Sequence, residues 1–415
     1  MASTARRVVI TGIGAITPIG SGRKGLWEGV LAGRSAVRRV TRFDPSQFRS
    51  QVAAQVDDFD PLDHIEPQRA RRLDRFSQLA VAAAQGAVLD SGLCLSSDDA
   101  EATGVYLGSA LGGLSFAEEQ HSVYIERGLR AVNNILALTV FGSASSCNIA
   151  MEMGLYGPNQ TNANSCASGS VAIGEAYRLV REGRARIMLA GGVEAPLAPL
   201  TFGAFDVIHA ISSNSNHEPE KASRPFDACR DGFVMSEGSA VLVLEEWEHA
   251  HARGAEIYAE ILGYATTTDA YHMTAPRPDG AQVIRCMREA LAAANLQPHE
   301  IDYINAHASA TPLNDKAETL AIKAVFGDHA RRVPISGTKA MHGHALGASG
   351  SFEAAIACLS MRHEYLPPTI NLEHPDPECD LDYLPSGGKH LRVNTILSNS
   401  FGFGGINACL ILARV

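Results

Sequence analysis

Three stretches of the chain place reactive side chains among residues small enough to admit a substrate. In QTNANSCASGSVAIGEAYRLVREG, Cys166 follows small and polar residues and precedes apolar residues at helical spacing, Ala172, Ala176, Leu179 and Val180. The pattern predicts a helix beginning at the cysteine. A helix N-terminus offers free N–H groups and the positive end of the macrodipole, which favour a thiolate and lower a thiol pKa. Ala167, Ser168 and Gly169 leave room for a bulky thioester against the backbone. Cys166 is therefore a candidate covalent nucleophile, although the same residues suit a buried cysteine in a close helix contact. Its partners decide between the two.

His307 follows the strand-like DYINA and precedes SATPLND, so it stands where a strand ends, a common place for catalytic groups in α/β proteins. A hydrogen-bonded structural histidine fits that place too. Further on, PISGTKAMHGHALGASG runs strand, loop, helix and supplies Lys339, His342 and His344 within six positions. Two histidines flanking a glycine could ligate a metal, but the cysteines and carboxylates that would complete such a site are not nearby, so no metal is expected. In NSFGFGGINA, glycines 402, 404 and 405 surround Phe401 and Phe403. Such a turn can aim backbone N–H groups into a cavity and complete an oxyanion hole, or it can be a hairpin with two core phenylalanines.

These groups need a scaffold. Short apolar runs, RRVVITGI at 6–13, TGVYLGSA at 103–110, RIMLAGG at 186–192 and AVLVLEEW at 240–247, alternate with helical patterns, which indicates α/β architecture. The alternation repeats with EIYAEILGYA at 256–265, a helix around 280–295, EIDYINAHA, RVPISGTKA, a helix near 345–363, and the strands NTILSNS and NACLILARV. Two similar halves, 1–255 and 256–415, are expected, joined where HAHARGAEI is polar and glycine-broken. The stretch from 110 to 160 has weaker periodicity and is expected to make helical or loop excursions lining a pocket or a subunit interface.

Composition narrows the function. At 415 residues with 46% hydrophobic and 19% charged residues, the chain can bury a large core. A net charge of -10 argues against a general nucleic-acid or anionic-membrane binder. Gly12, Gly14 and Pro18 interrupt the N-terminal apolar stretch, which reads as a first strand and not a signal peptide. No apolar run is long enough to span a bilayer, and a soluble, cytoplasmic protein is expected. Eight scattered cysteines without a CxxC pair do not suggest a disulfide framework. TGIGAITPIG lacks the third glycine spacing of a dinucleotide fingerprint, and Pro18 breaks the helix it would need.

Taken together, NSCASG, RPFDACRDGFVMSEGSAVLVLEE, NAHASATPLND, GTKAMHGHALGASGSFEA, LPPTINLEHPDPECDLDYLP and the terminal GFGG resemble, in order and spacing, the β-ketoacyl-acyl carrier protein synthases. The likeness runs from VVITGIGAITPIG to NSFGFGGINACLIL. It implies a thiolase-like five-layered αβαβα fold of two pseudo-repeated halves, usually dimeric. It also implies that Cys166 takes an acyl chain from a carrier thioester, with the N–H groups of Cys166 and Phe403 as oxyanion hole, and that His307 and His344 stabilise the enolate left when a malonyl extender loses carbon dioxide. Lys339 would tune the site with Glu353 as its support. Ser309 and Thr311 match the pantetheine-binding positions, and Leu111, Phe233, Phe401 and Phe403 the acyl pocket and its gate. Arg69, Arg71, Arg72 and Arg75 match the docking region for an acidic acyl carrier protein. No cofactor is implied beyond the carrier's phosphopantetheine, and the partner subunit would be a second copy or a chain-length-factor-like relative.

Three positions depart from the elongating enzymes: Asn164 and Ser165 replace threonine and alanine before the cysteine, and His342 replaces a threonine. The 133–150 segment departs as well. These differences are expected beside the acyl tunnel or dimer interface, and they rank a type II polyketide or polyene pathway above housekeeping fatty-acid elongation. A degradative thiolase would need a second cysteine where Phe403 stands, and a non-catalytic chain-length partner would lack Cys166.

Overall fold

The computed structural model describes residues 5–385 and 387–415. Its main strands are β1 (Val8–Thr17), β2 (Thr103–Gly108), β3 (Asn159–Asn162), β4 (Ile187–Glu194), β5 (Gly238–Glu246), β6 (Ala259–Thr268), β7 (Tyr303–Asn305), β8 (Ile335–Ser336), β9 (Thr395–Gly402) and β10 (Ile406–Ala413). In space the first five run β3-β2-β4-β5-β1 and the last five β8-β7-β9-β10-β6. The strand senses repeat as well. β2 is parallel to β3 and β4, as β7 is to β8 and β9, and the remaining neighbours within each five are antiparallel. The two sets meet edge to edge through β1 and β6, over the pairs Val9–Glu260 and Ile10–Ala259.

Strand sequence explains the layering. Along β5, Val241 and Val243 enter one apolar cluster while Ala240, Leu242 and Leu244 enter another, because successive side chains leave opposite faces. Along β10, Cys409 and Ile411 face one cluster and Ala408, Leu410 and Leu412 the other. Strands apolar on both faces must be covered on both. Helix α1 (Arg75–Ser91) covers the outer face of the first set; α2 (Leu114–Arg127) and α3 (Ala144–Met153) follow it, and α4 (Ser168–Arg181) lies inside. After α5 (Pro199–Val207), α6 (Ala281–Ala294) and α7 (Pro312–Phe326) cover the outer face of the second set, and α8 (Ser349–His363) is the second inner helix. Every residue of α8 from Ser349 to Met361 is buried, as a helix apolar all round requires. The result is the thiolase-like αβαβα sandwich.

The inner helices begin alike. SCASGS at 165–170 and LGASGS at 346–351 each make a 3₁₀ turn, Ser165–Ala167 and Leu346–Ala348, and run on into α4 and α8. Ser165 (φ 50°) and Leu346 (φ 41°) both sit in the left-handed region that non-glycine residues avoid. The turns can approach because Gly169 has no side chain: a Cβ there would stand 2.9 Å from Gly347 O and Ser351 N.

The excursion at 110–160 folds as α2 and α3 with a short helix between, and it exposes Ile125, Leu129, Leu138, Phe141, Met151 and Tyr156 to the outside. The stretch expected as a strand at 332–340 pairs only at Ile335–Ser336 and then turns into the short helix Lys339–His342. Among the described residues no helix is long and apolar enough to cross a membrane.

Candidate active site

Cys166 lies in the turn that starts α4 and is 8% exposed. The backbone N–H groups of Phe403 and of Cys166 itself favour its thiolate. β9 brings the first of these: it ends at Gly402, and the turn through Gly404 (φ 83°) and Gly405 (φ 73°) follows. A Cβ at Gly402 would stand 3.0 Å from Cys166 N and 3.2 Å from Asn164 O, so only glycine lets the two turns meet so closely. One expectation is overturned. Burial pushes the Cys166 thiol up to about 11, against the opposing pull of Lys339 and the Phe403 N–H. The helix terminus lies inside the protein, where desolvation of a thiolate outweighs the donors aimed at it.

His307 follows β7, and Lys339 reaches it from the short helix after β8. Lys339 is 1% exposed; its Nζ donates to His307 O at 2.6 Å, lies 3.4 Å from His307 Nδ1, and pairs with Glu353 of α8. Paired with a carboxylate, Nζ is an ammonium without a lone pair, so Nδ1 is the acceptor and the ring hydrogen belongs on Nε2. His344 Nδ1 is 2.7 Å from Ser349 Oγ, the first residue of α8, and its ring centroid is 5.3 Å from that of His307 at an interplanar angle of 78°. Burial, and next the Lys339 charge, hold both imidazoles well below the usual histidine range. Both are therefore neutral donors or acceptors at physiological pH.

Two buried carboxylates, one at the site and one beside it, escaped the sequence reading. Glu318 of α7 accepts hydrogen bonds from His307 N at 2.8 Å, Ala308 N at 2.9 Å and Asn399 Nδ2 at 3.1 Å, and burial pushes it up to about 7. It holds a loop in which Ala308 (φ 44°) and Ala310 (φ 64°) are both left-handed. Glu194, at the end of β4, accepts from Ser109 Oγ and from the backbone N–H groups of Ala110, Leu111 and Gly347. A carboxylate bound by backbone N–H groups has no signature of residue type, since any residue supplies the donors.

A cavity of about 340 Å³ joins these groups to solvent and is lined by Cys166, His307, His344, Phe233, Phe401 and Phe403, with Ser309 and Thr311 along its wall. The Ser309 and Thr311 hydroxyls are 3.0 Å apart. Phe403 stacks on Phe205 at 6.2 Å, and Phe205 meets Phe233 edge-on at 5.7 Å. Leu111 does not line this cavity; it packs in the apolar cluster that also holds Cys166, Phe202, Met235 and Leu346. His342, expected beside the acyl tunnel or dimer interface, is instead wholly buried behind the site against Phe352, with Nε2 3.2 Å from Thr338 Oγ1. The arginine patch divides. Arg71 and Arg72 are exposed, whereas Arg69 pairs with Glu152 at 3.2 Å and Arg75 with the buried Glu237 at 2.7 Å, so Arg75 serves the fold.

Known proteins resemble this chain along its length. Residues 5–250 match the model of the β-ketoacyl synthase N-terminal domain and residues 258–373 that of its C-terminal domain. The chain belongs to the β-ketoacyl synthase family. Proteins named 3-oxoacyl-[acyl-carrier-protein] synthase 2 are 45% identical to it in Synechocystis, over 99% of this chain and 98% of that one, and 44% identical in Coxiella burnetii, over 99% of each. Among solved structures, a type II polyketide acyl carrier protein in complex with its ketosynthase bound to the hexaketide, and the ishigamide ketosynthase/chain length factor, each superpose with a TM-score of 0.91 at 36% identity, over 99% of this chain and 100% of theirs. As a β-ketoacyl synthase the chain is an acyltransferase-type enzyme, and its sandwich is the ketosynthase fold.

Proposed function

We propose that this β-ketoacyl synthase elongates acyl chains on acyl carrier protein by decarboxylative Claisen condensation, with Cys166 holding the growing chain. The observation that carries the reading is the convergence on one cavity of a buried thiol, the glycine turn bearing Phe403 packed against it, and two buried imidazoles whose ring centroids are 5.3 Å apart. Cys166 Sγ attacks the carrier thioester, the acyl–sulfur bond to the carrier breaks, and the thiol proton leaves with the departing carrier thiol. The extender then loses carbon dioxide, and the electron pair of the broken carbon–carbon bond becomes an enolate. His307 Nε2–H, oriented by Lys339, and His344 hydrogen-bond the enolate oxygen without adding an acid that would quench the carbanion. The enolate carbon attacks the acyl-cysteine carbonyl, whose oxygen takes charge under Cys166 N and Phe403 N, and the Cys166 thiolate departs. The chemistry needs no cofactor besides the carrier's phosphopantetheine, for which Ser309 and Thr311 stand along the channel.

Fatty-acid elongation is the better-supported pathway, and the polyketide expectation gives way to it. Relatives named 3-oxoacyl-[acyl-carrier-protein] synthase 2 are 44–45% identical, against 36% for the polyketide ketosynthases, and His342, part of the contrary argument, lies away from the cavity. The carrier protein is the proposed partner, approaching the exposed Arg71 and Arg72. A homodimer is the proposed assembly, supported by the free edge of β3 and the exposed apolar residues Leu138, Phe141 and Tyr156.

Incubation with a ladder of acyl-carrier thioesters, then malonyl-carrier, tests the reading by intact mass. An acyl adduct that disappears in Cys166→Ala, followed by a β-ketoacyl-carrier product, is expected; an adduct unchanged in Cys166→Ala overturns it. Light scattering in solution reports the homodimer, and a monomer active only with a second subunit sinks that part.

A further inference from the structure

The repeat relates two places in the molecule, of which one is the reaction site. β2 pairs with its neighbours at Gly108–Asn162 and Gly108–Gly192, and β7 pairs with its own at Asn305–Ser336 and Asn305–Ser398, so Gly108 and Asn305 correspond. Two and three residues further on, Ala110 and Leu111 therefore correspond to His307 and Ala308. Each amide pair is bound by a buried carboxylate, Glu194 in the first case and Glu318 in the second. In the turns SCASGS and LGASGS, Gly347 stands where Cys166 does.

What occupies the second place is Glu194. Its Oε2 accepts from Gly347 N at 2.9 Å and Ala110 N at 2.7 Å, and its Oε1 from Leu111 N at 3.1 Å and Ser109 Oγ at 3.0 Å. A Cβ at Gly347 would stand 2.5 Å from Ala110 N and 2.8 Å from both Glu194 Oε2 and Ser109 C. The carboxylate and the Ser109–Ala110 backbone thus close the space where a nucleophile's side chain would stand, and the carboxylate uses the N–H that corresponds to the Cys166 donor. All four donors are uncharged, and burial pushes Glu194 up to about 7.

We propose that Glu194 is a positioning residue for acyl-chain selection, a buried carboxyl seated at Gly347 N, the counterpart of the Cys166 donor. By binding Leu111 N and Gly347 N at once, it ties the loop bearing Leu111 to the turn bearing Leu346. Both side chains pack in the apolar cluster around Cys166, where the acyl chain must enter. The inference rests on the proposed acylation of Cys166, and its test separates the two.

The experiment measures acylation of Cys166 across an acyl-carrier ladder in the wild type, Glu194→Ala and Glu194→Gln, with and without added formate. In Glu194→Ala the preference among chain lengths is expected to shift about tenfold, the scale at which a hydrophobic pocket discriminates neighbouring lengths. Formate, filling the vacated nest, is expected to restore the wild-type preference, which a general loss of packing would not allow. Glu194→Gln, whose amide must turn two N–H groups toward donors, is expected to show the same shift without rescue. A folded Glu194→Ala with wild-type preference, or one that formate leaves unchanged, overturns the proposal. If Glu194→Ala does not fold, wild-type preference in Glu194→Gln overturns it. Absence of any adduct in the wild type would instead remove the acylation reading itself.

Discussion

The Lys339 ammonium holds His307 at two points, donating to its carbonyl at 2.6 Å and standing 3.4 Å from its Nδ1 while pairing with Glu353. Lys339→Met removes the group that fixes the tautomer and leaves a buried carboxylate without its partner. Breaking a buried pair in this way costs about 3–5 kcal/mol. The double variant Lys339→Met/Glu353→Gln is expected to recover most of that stability while remaining defective in condensation. Thermal unfolding read alongside turnover checks the split; recovery of both would show that the lysine only balances charge.

With its thiol pushed up to about 11, Cys166 should be a slow nucleophile toward a small alkylating agent at neutral pH. The rate is expected to rise about tenfold per pH unit through the alkaline range, following the thiolate fraction. Because Lys339 pulls this pKa down, Lys339→Met should slow alkylation at every pH below the plateau. Mass-resolved alkylation from pH 7 to pH 10 measures it, and a plateau near neutrality would contradict the balance between burial and charge.

Gly402→Ala drives a methyl group against Cys166 N and Asn164 O and should separate the Phe403 N–H from the reacting carbonyl. Loss of one oxyanion donor costs about a hundredfold or more in rate. Acylation and condensation are both expected to fall on that scale, since both pass through the same hole. Single-turnover rates for each step decide; a defect in one alone would assign the Phe403 N–H to that step.

Burial holds His342 down at about 3, whereas an unfolded histidine titrates near 6.5. The unfolded chain takes up this proton first, so the stability present above pH 6.5 is lost as pH falls. Glu318 acts in the opposite sense: raised to about 7, it contributes stability below its unfolded value of 4.5 that is lost as pH rises through 7. Replacing His342 isolates one contribution. His342→Gln should lose about 2 kcal/mol less than the wild type between pH 7 and pH 5. Denaturant melts at the two pH values give the difference, and parallel losses would refute it.

Arg71→Glu/Arg72→Glu should raise KM for the acyl-carrier substrate, an effect that weakens with added salt, and leave kcat in place. Arg75→Ala should instead lower the melting temperature, because it strips a partner from buried Glu237. An unaltered KM in the double variant would move the carrier's docking surface elsewhere.

How much of this was legible beforehand follows from where each signal lies along the chain. Cys166, His307, Lys339 and His344 sit in short stretches whose residue types mark them as candidates, the family resemblance supplied their roles and added Glu353, and the structure brings all five together. Strands apolar on both faces read as α/β layers for the same local reason. Glu318 and Glu194 were not legible, because helix α7 and strand β4 look like ordinary elements until the fold brings backbone N–H groups to their carboxylates. The pKa of Cys166 was misjudged because local sequence announces a helix terminus but not its burial. Arg75 read as free charge since its partner Glu237 lies far along the chain.

The contact between Gly347 and Glu194 also bears on how such a molecule can change over generations. A side chain at position 347 collides with the Ala110 backbone and with the carboxylate, and loss of the carboxylate strips a four-donor nest of its acceptor. Losing the carboxylate would not open position 347, because the backbone of Ser109 and Ala110 still blocks a side chain there. The asymmetry between the halves is thereby locked in: one half admits a nucleophile at the start of its inner helix, and the other has backbone too close to admit any side chain.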